Sequence, residues 1–206
     1  MVKKLIGKKL GMTRYFLDEG KSIPATMVKV GPCVVIQKKT LQKDGYEAIQ
    51  VGFELQKEKR INKPLKGHFG AAGDKGFVHL REIRVESAEE FELGQEIKAD
   101  IFEIGELVQV TGKSKGRGFS GVIKRWGFSK GRETHGSRSH RIPGSIGASA
   151  TPGRVHKGKK LPGRMGYQRT TIKNLKILDV RPEMDVIALK GAVPGHRNSI
   201  VEIAKI

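Results

Sequence analysis

The sequence predicts a mainly β chain whose globular part is interrupted by one long, irregular, basic segment. Three observations carry this. Short runs rich in β-branched residues recur roughly every ten residues on both sides of the interruption. The 206 residues hold 40 Lys or Arg against 21 Asp or Glu, yet 14 of the 19 excess positive charges fall within residues 112–170. That window also carries 13 of the 27 glycines, too many for regular helix, and only 13 hydrophobic residues, too few for a core of its own.

The strands are justified in order. SIPATMVKVGPCVVIQKKT is β-rich and broken at Gly31-Pro32, giving two strands around a turn. Asp44-Gly45 is a hairpin turn signal, and YEAIQVGFEL follows as the next strand. NKPLKGHFGAA, with Pro64 near its start, predicts a short helix inserted between strands. LREIRVES alternates as a half-buried strand, and AEEFELGQEI reads as an acidic turn entering the next. ELVQVTG precedes the basic window. After it come TIKNLKILDV, MDVIALKG and NSIVEIAKI, separated by Arg181-Pro182 and by the turn at 194–196. Seven or eight such strands argue for a small antiparallel barrel or sandwich. Inside the window, GFSGVIKRWGF fits either one helical turn or a strand.

The domain boundaries follow composition. Residues 1–111 and 171–206 form the globular β domain, with an insertion at about 56–98, and 112–170 form the basic excursion. The former two carry net charges of +3 and +2, the last +14 with Glu133 as its single acid. Such a charge block calls for a polyanion, nucleic acid before an anionic membrane surface. The membrane alternative needs an amphipathic helix, which these glycines oppose. No run approaches the length of a membrane span and the start lacks a signal-peptide core, so a soluble, cytoplasmic protein is expected.

Enzyme chemistry finds little support. TGKSKGRG resembles the tail of a phosphate-binding loop, but the glycine required five residues before Gly112 is Leu107. Cys33 is the only cysteine, so neither an internal disulfide nor a cysteine-based zinc site is available. His135, His140 and His156 lie among arginines that would repel a cation. Ser137 and Ser139 lack an orienting acid, and Glu133 alone cannot supply paired carboxylates. No catalytic residue, metal, cofactor or small-molecule substrate is expected.

The RNA-contacting residues are therefore sought among the cations and their polar neighbours. They are Lys113, Ser114, Lys115, Arg117, Lys124, Arg125, Trp126, Lys130, Arg132, His135, Arg138, His140, Arg141, Arg154, His156, Lys157, Lys159, Lys160, Arg164 and Arg169. Ordering 59 residues costs roughly 60–120 kcal/mol of backbone entropy, which 13 hydrophobic residues cannot offset. Phosphates meeting the cations can supply the missing contacts, and a large folded RNA offers channels for a segment of this length.

Three stretches then become familiar. KLIGKKLGMTRYF, FEIGELVQVTGKSKGRGFSGVIKRWGF and GSIGASATPGRVHKGKKLPGRMG occur in the order of, and resemble, segments of the bacterial-type ribosomal protein L3 family. Gly112, Ser114, Lys115, Gly116, Gly118, Gly121 and Arg125 match fixed positions of that family's signature, while Gln109 stands where Asp or Asn is usual. The resemblance implies a closed antiparallel barrel of the translation-protein type. It also implies an extension penetrating large-subunit ribosomal RNA, a role early in subunit assembly, and neighbouring ribosomal proteins as further partners. By the same resemblance Ser145, Ile146, Gly147, Ala148, Ser149, Ala150, Thr151 and Pro152 form the tip nearest the peptidyl-transferase centre. Relatives often carry a glutamine, sometimes methylated, where this chain has Ala150, so that modification is not available here.

Overall fold

The computed structural model describes residues 2–17, 20–73 and 75–206. It is mainly β. The strands are β1 (Lys4–Phe16), β2 (Ser22–Val30), β3 (Cys33–Lys39), β4 (Ala48–Leu55), β5 (Phe77–Arg84), β6 (Glu96–Ile97), β7 (Leu107–Lys113), β8 (Phe119–Ser120), β9 (Gly163–Arg164), β10 (Arg169–Arg181), β11 (Val186–Lys190) and β12 (Ile200–Lys205). The helices are short: α1 (Leu41–Asp44), α2 (Lys63–Phe69) and α3 (Val122–Trp126). The chain divides into two compact units, residues 1–113 with 169–206, and residues 114–168.

In the first unit the hydrogen bonding returns on itself. Strand β1 pairs with β12, β12 with β7, β7 with β10, β10 with β11, β11 with β2 and β2 with β1, every pair antiparallel. The period-2 pattern explains which side is inside. Val108 and Val110 of β7 and Val201 and Ile203 of β12 alternate with more exposed neighbours and are fully or almost fully buried. They meet Leu5, Val28, Ile177, Ile187 and Leu189 in one core. Each such aliphatic side chain contributes about 1.5–3 kcal/mol by leaving water.

Strands β5, β4, β3 and β6 make a second sheet in that order. Strand β3 is buried on both faces: Cys33 and Val35 join the main core, whereas Val34 and Ile36 meet Phe69 and Phe77 in a smaller cluster. That cluster explains α2. Pro64 stands in its first turn, and Phe69 at its end is the side chain that docks. Burial pushes the Cys33 thiol up to about 11, despite its hydrogen bond to the Ile6 carbonyl, so it packs as a small apolar group.

Some expectations are refined. The Asp44-Gly45 pair lies, as expected, in the connection of a hairpin, since β3 and β4 pair antiparallel, but that connection is longer than a two-residue turn. Residues 41–44 form one helical turn, closed by Gly45 at φ 78° donating to the Leu41 carbonyl. Glycine serves the left-handed position in either geometry, so the dipeptide signal was ambiguous. The two strands expected on either side of Gly31-Pro32 form, as β2 and β3, and they belong to different sheets. The second sheet spans residues 33–97, a stretch that overlaps the expected insertion at about 56–98. The longest N-terminal strand, β1, is hidden in the sequence because Lys4, Lys8 and Lys9 break its apolar alternation. Lys9 is in fact buried, donating to the Val193 and Gly195 carbonyls at 2.7 and 3.1 Å.

Glu202 on β12 collects three cations, Lys4 at 2.5 Å, Arg81 at 3.3 Å and Arg169 at 3.5 Å. Burial opposes its ionisation, but Lys4, Arg169 and Arg81 outweigh that and hold its carboxyl below the usual range. A depressed carboxylate pKa contributes stability above the unfolded value, and that contribution is lost as pH falls through the folded value. Glu202→Gln should cost about 1 kcal/mol at neutral pH, with the difference shrinking below about pH 4. Urea denaturation of both proteins at the two pH values checks this.

Candidate nucleic-acid interface

Residues 114–168 form the second unit and contain 13 Lys or Arg and one acid, Glu133. The unit has almost no interior: among its residues only Ser120 and Val122 are buried. Backbone pairing at its neck replaces a core. Ser114 N donates to the Gln168 carbonyl at 2.9 Å, and Gln168 N donates to Ser114 Oγ at 3.2 Å. Arg117 N donates to Met165 O and Met165 N to Gly118 O, both at 2.9 Å, and β8 then pairs with β9. The Ser114 hydroxyl of the phosphate-loop look-alike is thus used to close the loop.

Beyond the neck, residues 122–126 resolve the helix-or-strand ambiguity as the one-turn helix α3, ended by Gly127 at φ 73°. Two side chains from α3 converge on one backbone atom of the returning arm. Arg125 Nη1 donates to the Leu161 carbonyl at 2.7 Å and Trp126 Nε1 donates to it at 2.9 Å. The Arg125 guanidinium lies 5.0 Å from the Trp126 ring centre and Lys160 Nζ lies 5.9 Å from it. Gly163 leaves the path open, since a Cβ there would stand 2.6 Å from Arg125 Nη1. These residues brace the two arms, a role the sequence concealed because its acceptor is a main-chain oxygen.

Farther out, Gly131 N donates to the His140 carbonyl at 2.9 Å, and His140 Nδ1 donates to the Arg132 carbonyl at 3.0 Å. These bonds gather Lys130, Arg132, Arg138 and Arg141 around one turn, with His135 at φ 56° inside it. Residues 145–152 are all exposed. Ser145 Oγ donates to the Gly147 carbonyl at 3.1 Å, and Gly153 N to the Ser149 carbonyl at 3.2 Å. On the returning arm Arg154, His156, Lys157, Lys159 and Lys160 are exposed, as Lys115, Arg117 and Lys124 are on the outgoing one. Lys113 and Arg169 sit instead on β7 and β10 of the first unit, paired with each other, with the Arg169 guanidinium toward Glu202.

The electrostatics are one-sided. Among the described residues, no basic side chain of 114–168 is in an ion pair; the ion pairs lie in the first unit. Twelve of the 13 cations are exposed, Arg125 being the exception. At physiological salt, charges within about 8 Å repel one another, so a polyanion laid along the arms relieves repulsion as well as gaining contacts. Among the described residues no three His, Cys, Asp or Glu side chains gather as a metal site, and no helix is long and apolar enough to cross a membrane.

Known proteins resemble this chain across both units. The family model for Ribosomal protein L3 matches residues 78–185, a span that includes the whole basic loop. Similar chains include large ribosomal subunit protein uL3 of Carboxydothermus hydrogenoformans, 55% identical over 203 residues covering 98% of this chain and 97% of that one. That of Syntrophus aciditrophicus is 56% identical over 204 residues, covering 98% and 93%. That of Thermotoga petrophila is 54% identical over 202 residues, covering 98% and 96%. The matched spans cover both units, and the chain belongs to the ribosomal protein L3 family.

Proposed function

We propose that this protein is a structural, non-enzymatic constituent of the large ribosomal subunit in the cytoplasm, and that residues 114–168 are the part that binds large-subunit ribosomal RNA. The observation that carries the reading is the pairing of a dozen exposed, unneutralised cations with a segment that lacks a core. A polyanion supplies what the segment itself does not: counterion release at each phosphate and a surface against which the backbone is fixed. The ring of six strands acts as a closed barrel of the translation-protein type that anchors the loop. The bracing of Arg125 and Trp126 on Leu161 keeps the two arms together while the outward cations contact phosphate.

On the same reading, residues 145–152 approach the peptidyl-transferase centre and shape it by position, and the protein joins the subunit early, beside other ribosomal proteins. Small side chains suit that role, since Gly147, Ala148, Ser149 and Ala150 let backbone lie close to RNA. Co-sedimentation tests the proposal. The purified chain, added to large subunits depleted of this protein, should travel with them through a high-salt gradient. Release at modest salt, or equal retention on duplex DNA, would point to a general nucleic-acid compaction protein.

A further inference from the structure

We propose that Phe119, Arg164 and Tyr167 form a stacking platform for unpaired RNA bases at the neck of the loop, an inference that rests on the RNA-binding reading above. Phe119 is 79% exposed, more than any other large apolar side chain among the described residues. Its neighbour Ser120 is 5% exposed. Strand β8 therefore turns its aromatic ring outward and its hydroxyl inward, the reverse of what burial alone selects. The register that does this is pinned on both sides, by Phe119↔Arg164 and Ser120↔Gly163 pairing and by the Met165 N to Gly118 O bond.

Arg164, directly opposite Phe119, shares its face of the ribbon, where such paired side chains have Cβ atoms about 4.5–5.5 Å apart. The Arg164 guanidinium in turn lies 5.4 Å from the ring centre of Tyr167, which is 56% exposed. Aromatic rings and guanidinium planes are the surfaces on which unpaired bases stack. Lys115 and Arg117 on the same neck are exposed cations for the adjoining phosphates. The unit's one acid, Glu133, is far along the chain, so a nucleic acid with exposed bases fits this face better than a protein surface would.

The test uses the full chain and protein-free large-subunit ribosomal RNA transcribed in vitro, with affinity measured across a salt series. Phe119→Leu should weaken binding about tenfold and leave the salt slope unchanged, because stacking releases no counterions. Phe119→Trp should restore the affinity. Since Phe119 is exposed, neither change disturbs a core. No loss with Phe119→Leu, or a loss that Phe119→Trp does not restore, overturns the platform. If Phe119→Leu binds naked RNA normally but enters whole subunits poorly, the face is a protein contact and the proposal fails. Lys115→Gln with Arg117→Gln serves as the separate control. It should lower the salt slope by about two even if the platform is wrong, and an unchanged slope would instead remove the RNA-binding reading.

Discussion

Replacing Arg154, Lys157, Lys159 and Lys160 together by Gln should weaken binding to large-subunit ribosomal RNA about a hundredfold to a thousandfold at physiological salt. The four side chains are exposed on the returning arm. Each cation that neutralises a phosphate contributes close to one to the slope of log K against log salt, so the slope should fall by about three to four. Melting of the purified protein should hardly move, because none of the four belongs to the core. The second unit carries the same charge on paper whether or not the arms are held together. Lys160 also stands by the Trp126 ring, so charge removal measures chiefly the contacts and only slightly the scaffold.

Gly166→Ala addresses the scaffold. Gly166 has φ 75°, and a Cβ added there would stand 2.1 Å from the Lys115 carbonyl oxygen. The obstructing atom is backbone, so relief requires the arms to part where Arg117 and Met165 exchange hydrogen bonds with their neighbours. Left-handed strain plus the displaced carbonyl should cost the neck about 2–4 kcal/mol. Amide exchange at Arg117 and Met165 should accelerate about a hundredfold. Affinity for the RNA should drop although every cation is retained. Unchanged exchange at those two amides would show that the neck does not depend on this close approach.

What was legible in the sequence and what was not divides along physical lines. The basic window stood out because charge and glycine content are sums over residues and need no geometry: composition marks 112–170, and the compact units divide after Lys113 and Gln168. The C-terminal strands were legible because Ile177, Ile187, Leu189, Val201 and Ile203 alternate in short runs between clear turns. Strand β1 was not, because its buried Lys9 is satisfied by two carbonyls from residues 193 and 195, nearly the whole chain away. The helix α3 stayed ambiguous because five residues give too little periodicity to separate a turn from a strand.

The candidate site was partly legible for the same reason. Lysines and arginines can be counted, and most of those counted do face outward. Arg125 and Trp126 read as RNA contacts by type, yet the Leu161 carbonyl that both address carries no signature in a side-chain alphabet. Phe119 carries no signal in the sequence, because a lone aromatic among glycines does not reveal which way it faces. Only the register shows it facing out, with Ser120 facing in.

The central claim is that the basic loop takes its order from RNA, and limited proteolysis tests it most directly. In the free protein, cleavage should fall within residues 114–168 and spare the first unit, whose core is closed. In the assembled large subunit the same sites should be protected at the same protease concentration. Equal cleavage of the loop in both states would contradict the account.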